Sequence, residues 1–195
     1  MPVSRTIRGN CFISFPLFIE LLKLLPHVEE LRLEGIILAS PDSTPHYTWQ
    51  PIPLAFLALD FQALYRLRSP VMDAAAEHVR RLLSCFRDLK HLSLSGYQGA
   101  GLSMPPCGPL GSKLTTLSLD SCHASPGFFL DLESSSHFDR MVNFTWNDIS
   151  GLSHHSIGGF LRYFAAIAPR LQSLCLSIAS SIYGNTSECQ RRLIK

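Results

Sequence analysis

The sequence predicts an α/β fold built as a solenoid, with short parallel strands on one face and helices or loops on the other. Three observations carry this. Leucine makes up 31 of the 195 residues. The leucines recur in similar phrases at intervals typical of one supersecondary unit. Inside each phrase a polar residue separates two apolar ones, the period-two alternation of a strand buried on one face only. A doubly wound sheet, covered by helices on both faces, would read instead as continuous apolar runs.

Composition sets the bounds. With 46% hydrophobic and 16% charged residues, the chain has material for a sizeable core and does not read as disordered. Seventeen Lys and Arg against fifteen Asp and Glu leave a net charge of +2. That is too small a field to expect a nucleic-acid partner. No run reaches the ~18 apolar residues of a membrane span, so no membrane partner is expected. Arg5 and Arg8 precede an apolar stretch from Cys11 to Ile19, but Glu20 and Lys23 interrupt it and Pro26 ends it. This does not read as a secretory signal, and a cytoplasmic or nuclear location is expected. The six cysteines hold no CxxC or other close pair, so reduced, mostly buried thiols are expected, with no metal site.

The elements follow in order. Ser14 and Pro16 open an expected amphipathic helix to Leu25, with Phe18, Leu21, Leu22 and Leu25 on one face. The phrase Leu25-Pro26-His27-Val28-Glu29-Glu30-Leu31-Arg32-Leu33 predicts a strand near 29–34. A proline-rich insert, 40–53, separates it from a looser copy, Leu64, Leu67 and Ser69, read as a strand near 64–69. Asp73 to Phe86 predicts a helix with Ala75, Val79, Leu82, Leu83 and Phe86 inward. Phe86-Arg87-Asp88-Leu89-Lys90-His91-Leu92-Ser93-Leu94 predicts a strand near 90–95, and a loop runs from Gly96 to Gly111. Leu114, Leu117 and Leu119 predict a strand near 115–120, and a short helix follows from Ser125 to Leu132. Met141, Phe144 and Trp146 mark a strand near 142–147. Ser156 is read as the cap of a helix with Ile157, Phe160, Leu161, Phe164 and Ile167 inward. Ala168-Pro169-Arg170-Leu171-Gln172-Ser173-Leu174-Cys175-Leu176 completes about six units, with a strand near 172–177. Residues 1–195 are thus read as one irregular array. Marked at Leu31, Leu67, Leu92, Leu117, Phe144 and Leu174, its gaps are 36, 25, 25, 27 and 30 residues. Ile7 is the remnant of an earlier unit.

These phrases carry the spacing L-x-x-L-x-L, and Cys122 falls where the longer form L-x-x-L-x-L-x-x-N/C wants Asn or Cys. Over positions 14–178 the chain resembles the leucine-rich-repeat proteins, in the style of the degenerate repeats of fungal F-box proteins. The resemblance implies a substrate-recognition segment of a ubiquitin-ligase adaptor. Met1 to Ser14 is too short to hold an F-box, so the part that docks to the ligase is not expected in this chain.

In such a repeat, the residues flanking the inward leucines point to the open, concave sheet face. They are Glu30, Arg32 and Glu34, then Arg66 and Arg68, then His91, Ser93 and Ser95. Thr116, Ser118, Asp120, Asn143, Thr145, Asn147, Ser173, Cys175 and Ser177 continue the face. A protein partner is expected there, anchored by the arginines, whose planar forks suit carboxylates and carbonyls. Tyr47 and Trp49 in the insert are further candidates.

Other motifs carry less. His154 and His155 are adjacent, so they point different ways, and they read as a solvated loop. Gly96 to Gly101 lacks the order of a phosphate loop. Cys175 and His91 belong to strands three spacings apart, too far for a nucleophile and its base. Asn143-Phe144-Thr145 and Asn185-Thr186-Ser187 match the glycosylation sequon by chance. No catalytic residue, metal or cofactor is expected, nor a small-molecule substrate. A non-catalytic interaction module is the leading expectation. A repeat fragment without independent function, and an enzyme with dispersed groups, are the alternatives.

Overall fold

A computed structural model describes residues 3–25, 27–39, 51–62, 79, 82–83, 85–97, 114–122, 140–147, 154–177 and 191–192. The chain opens with an eleven-residue strand, β1 (Ser4–Ser14), and a helix, α1 (Phe15–Lys23). The strands β2 (Glu30–Ala39), β3 (Ile52–Pro53), β4 (Phe56–Asp60), β5 (Phe86–Arg87) and β6 (His91–Ser95) follow. Then come β7 (Thr116–Asp120), β8 (Asn143–Asn147), the helix α2 (His154–Ile167) and a 3₁₀ turn at Ala168–Arg170. β9 (Ser173–Leu176) and β10 (Arg191–Arg192) close the series. This is an α/β fold dominated by one mostly parallel sheet of eight strands, ordered β1-β2-β4-β6-β7-β8-β9-β10. Only β10 runs antiparallel to its neighbour. β3 and β5 form a separate parallel pair.

Register follows from the alternation. Leu31, Leu57, Leu92, Leu117, Phe144 and Leu174 stand in one row across β2, β4, β6, β7, β8 and β9. Leu33, Leu59, Leu94, Leu119, Trp146 and Leu176 form a second row on the same face. From β2 to β8 every member of both rows is buried. Each leucine so enclosed contributes roughly 1.5–3 kcal/mol. A one-residue slip would turn every one of them to solvent, which is what fixes the pairing.

The backbone repeats as faithfully as the leucines. Before each strand, one carbonyl accepts from two successive N–H groups of the next unit. The carbonyl of Glu29 accepts from Ala55 and Phe56, that of Ala55 from Lys90 and His91, and that of Lys90 from Thr115 and Thr116. Val3, Thr115 and Val142 provide the same fork at the remaining steps. His27 and Asp88, each four residues before the first buried leucine of the strand that follows, share a left-handed backbone with φ of 73° and 67°. Directly after the open-face residues, Gly35, Gly96 and Ser121 have φ of 66°, 65° and 50°. Glycine takes this conformation freely, while Ser121 holds it at a steric cost.

Several expectations are corrected. The place in the sheet expected for 64–69 is held by β4, between β2 and β6. Leu54, Leu57 and Leu59 spell L-x-x-L-x-L exactly in spacing, whereas the copy at Leu64 ends on Ser69. The proline-rich insert therefore ends in two strand residues, Ile52 and Pro53, which pair with β5. The step from Leu31 to Leu57 is 26 residues, and the long excursion falls between Leu57 and Leu92 instead. Val79, Leu82 and Leu83 are helical and buried as the periodicity requires, but Phe86 has left the helix for β5. α1 buries Phe15, Phe18, Ile19 and Leu22, and its N-cap Ser14 makes no side-chain capping bond. α2 begins at His154, so Ser156 is inside it and is not its cap. Its inward stripe is Phe160, Tyr163 and Ile167, with Phe164 half-buried, and Ile157 and Leu161 are exposed. Positions 160, 163, 164 and 167 are the i, i+3, i+4, i+7 set of one helix face, and 161 is a quarter-turn off it. The segment Ser125 to Leu132, residues 98–111, Asp73 and Ala75 lie outside the described residues.

The larger side chains of β8 meet α2 in an aromatic cluster. Trp146 stands edge-on to Phe160 at 5.6 Å, Phe144 to Tyr163 at 6.2 Å, and Phe160 stacks on Phe164 at 6.0 Å. Burial pushes the Tyr163 phenol well above its ordinary range. No helix among the described residues is long and apolar enough to cross a membrane.

Candidate functional site: the open face of the sheet

The side chains that alternate with the buried rows form three rows of their own. The first, at the strand entrances, is Ser4, Glu30, Phe56, His91, Thr116, Asn143 and Ser173. The middle row is Thr6, Arg32, Ala58, Ser93, Ser118, Thr145 and Cys175. The third, at the strand exits, is Arg8, Glu34, Asp60, Ser95, Asp120 and Asn147. All are exposed or half-buried, because the opposite face takes the leucines.

Every described residue expected on this face except Ser177, which follows the end of β9, stands in one of these rows. Arg66 and Arg68, the pair expected to anchor a partner, lie outside the described residues, as do Tyr47 and Trp49. Their strand's place belongs to Phe56, Ala58 and Asp60, which sequence reasoning had left unassigned. The signal for them was the Leu57–Leu59 alternation beside Pro53. Ser4, Thr6 and Arg8 of β1 were also missed, since only Ile7 marks that strand as a unit.

Two polar systems stand out. Toward the entrances, the Arg32 guanidinium sits 5.1 Å from the centre of the Phe56 ring, and Phe56 lies 6.2 Å from the His91 ring. A guanidinium over an aromatic ring is held by the ring quadrupole, worth about 0.5–1 kcal/mol at an exposed site. Nearby, the Asn143 amide donates to the Thr116 hydroxyl at 3.2 Å, so that sequon nitrogen is engaged within the sheet.

Along the exits runs a chain of cross-strand bonds. Arg8 pairs with Glu34. The backbone N–H of Gln62 donates to Asp60 at 2.8 Å, and its side-chain amide donates to Ser95 Oγ at 2.9 Å. Ser95 in turn donates to Asp120 at 3.4 Å, and Ser177 donates to Asn147 at 3.4 Å. These bonds fix side chains that would otherwise rotate freely in solvent.

The cysteines divide by environment. Cys122 is buried, its sulfur 3.3 Å from the Leu94 carbonyl and 3.4 Å from that of Asp120. The thiol thus ties one unit to the unit before it, a core role. Burial pushes its pKa up to about 12. Cys85 is a buried thiol outside any disulfide, and Cys11 is an exposed one. Cys175 is disulfide-bonded, which corrects the expectation of reduced thiols.

His91 and Cys175 stand on β6 and β9 with β7 and β8 between them, as the spacing argument required. His154 and His155 lie in the first turn of α2 and not in a loop. Among the described residues no three of His, Cys, Asp and Glu are grouped to hold a metal ion. A separate cleft of about 450 Å³ lies where α1 meets β3, lined by Leu22, Leu25, Val28 and Ile52 with Lys23, His27 and Glu29. It holds no nucleophile and base together, whereas the open face presents a long ordered surface of donors and acceptors. Compared with protein-family models, curated proteins and solved structures, the chain gives no match.

Proposed function

We propose that the chain is a non-catalytic protein-interaction module of leucine-rich-repeat type, a solenoid that binds a protein partner on the open face of its sheet. The observation that carries this is the register. Six or seven strands hold three rows of mostly polar side chains in line, with hydrogen bonds restraining side chains along the exits and a guanidinium stacked on an aromatic ring. A surface so ordered before binding loses less side-chain entropy on binding. Arg32, Phe56 and His91 supply the aromatic and arginine chemistry that dominates interface energetics. The likeness of the repeats to those of fungal F-box proteins supports a specific version, substrate recognition for a ubiquitin ligase.

A random peptide library selected on the purified chain tests the face. Peptides selected this way should lose at least tenfold in affinity on Ser118→Arg or Thr145→Arg, which fill the middle row. Leu161→Arg, on the exposed side of α2, should leave them unchanged. Peptides that ignore both open-face substitutions would remove the face from consideration.

A further inference from the structure

The open face differs in sign from the molecule that bears it. Its three rows hold two arginines, Arg8 and Arg32, against four carboxylates, Glu30, Glu34, Asp60 and Asp120. With His91 neutral the face is therefore net −2, while the whole chain is +2. The imbalance is local. Arg8 answers Glu34, and Arg32 follows Glu30 by two residues on the same face of β2, so the excess falls on Asp60 and Asp120 at the exits. Neither carboxylate makes an ion pair among the described residues. Each has one oxygen engaged, Asp60 by the Gln62 N–H and Asp120 by Ser95, and presents the other. Ser95 spends its hydroxyl proton and Gln62 one of its two amide protons within this chain of bonds, so the strip between the two aspartates presents mostly acceptor oxygens.

We propose that this strip docks a basic, extended peptide segment of a partner protein, with two cationic side chains seated on Asp60 and Asp120. The inference rests on the proposed reading of the open face as a binding surface and gives that partner its chemistry. Charge complementarity selects the sign, and register selects the spacing. Asp60 and Asp120 occupy the same row, two strands apart with β6 between them. At about 4.8 Å per strand that separation is about 9.6 Å. A polyproline II segment rises about 3.1 Å per residue with three residues per turn, so positions i and i+3 share a face about 9.3 Å apart. The segment lies across the strands, and arginine suits it best, because a planar fork can bridge a carboxylate and the neighbouring hydroxyl or amide oxygen.

Three short fluorescent peptides test this by anisotropy against the full chain. One carries arginine at every third position with proline between, one has glutamate at those positions, and one has the same arginines side by side. The spaced arginine peptide should bind, more tightly than the contiguous one, and the glutamate peptide should not. Asp60→Asn with Asp120→Asn keeps both accepted hydrogen bonds and should weaken binding about tenfold, with most of its salt dependence lost. Thermal melts of the variant against the parent show that the fold is retained, and a salt titration of the unmodified chain gives the same charge reading without any substitution. Equal binding of the glutamate peptide, or unchanged binding by the double variant, overturns the proposal. If no arginine peptide binds while library peptides still respond to Ser118→Arg, the basic partner is refuted and the face survives. If library peptides ignore that face, both readings fall.

Discussion

Strands β7 and β9 carry the same alternation and differ in depth. In β7, Leu117 and Leu119 are fully enclosed, and the strand reads half-buried and buried by turns. In β9, Leu174 and Leu176 occupy the same two rows but are only half-buried, packed against the margin of the core. β7 has five-residue neighbours on both sides, whereas β9 has β8 on one side and the two residues of β10 on the other. Alternation thus decides which face a residue takes, and the number of flanking units decides how far it is removed from water.

That contrast can be broken by truncation. Trp146→Ala, at the centre of the β8–α2 aromatic cluster, is expected to cost ~3–5 kcal/mol in urea unfolding, and Leu117→Ala ~2–5 kcal/mol. Leu174→Ala should cost less than half the Leu117 value. An equal cost would show that β9 is as deeply supported as β7.

The next largest effect is pH-dependent and belongs to the exit of β7. Cys122 has its folded pKa raised from 9.0 to about 12 by burial. Above pH 9 the unfolded thiol loses its proton while the folded one keeps it. The unfolded state then binds fewer protons, and stability falls as pH rises, by up to ~1.4 kcal/mol per unit until about pH 12. Below pH 9 this contribution is fully present. Cys122→Ala should remove that slope, as measured by urea midpoints between pH 8.5 and 10.5. A slope retained in the variant would assign it to another group.

The same difference should be visible in reactivity. Cys11 on the edge strand is exposed, so iodoacetamide at pH 8 should alkylate it in the native chain and spare Cys122 and Cys85 until unfolding. Peptide mass mapping reads this directly. Modification of Cys122 in the native state would mean that the exit of β7 opens locally.

The smallest expected effect compares two strand exits. Gly96 after β6 adopts its left-handed backbone without strain, and Ser121 after β7 does not. Ser121→Gly should gain ~0.5 kcal/mol, the relief of strain being partly offset by greater freedom in the unfolded chain. A net loss would mean that the serine hydroxyl contributes more than the backbone costs.

The sheet was legible wherever leucines bracket a polar residue, as in Leu92-Ser93-Leu94 and Leu117-Ser118-Leu119. Such phrases state both the strand and its buried face. Phe56–Asp60 is hard to see because Pro51 and Pro53, at the end of the proline-rich insert, lie just before it. Here they sit just ahead of the strand or in its short companion β3, where a missing N–H breaks no central ladder. β1 was hidden for a different reason. Arg5 stands in the row of Leu31 yet is exposed, because an edge strand has a neighbour on one side only and its inward position remains open. In α2 the choice between Leu161 and Tyr163 needed the helix phase, which hydrophobicity alone does not give. The candidate face was legible as a set of residues. Its bonding was not, since Gln62 lies beyond its strand and reaches Ser95 across a separation of 33 residues.

The forked carbonyl before each strand has a consequence for how such a chain can change length. Each unit is joined to the one before it through the same pair of N–H groups on the same acceptor, whatever the intervening segment contains. The steps from Leu31 to Leu57 and from Leu57 to Leu92 differ by nine residues, yet both end on that joint. Growth by copying is therefore open to this architecture. A duplicated segment from Lys90 through Leu114 would carry its own acceptor at one end and meet a matching pair of donors at the other. The inheritance of the array would then lie in its joints, with the connecting segments free to diverge.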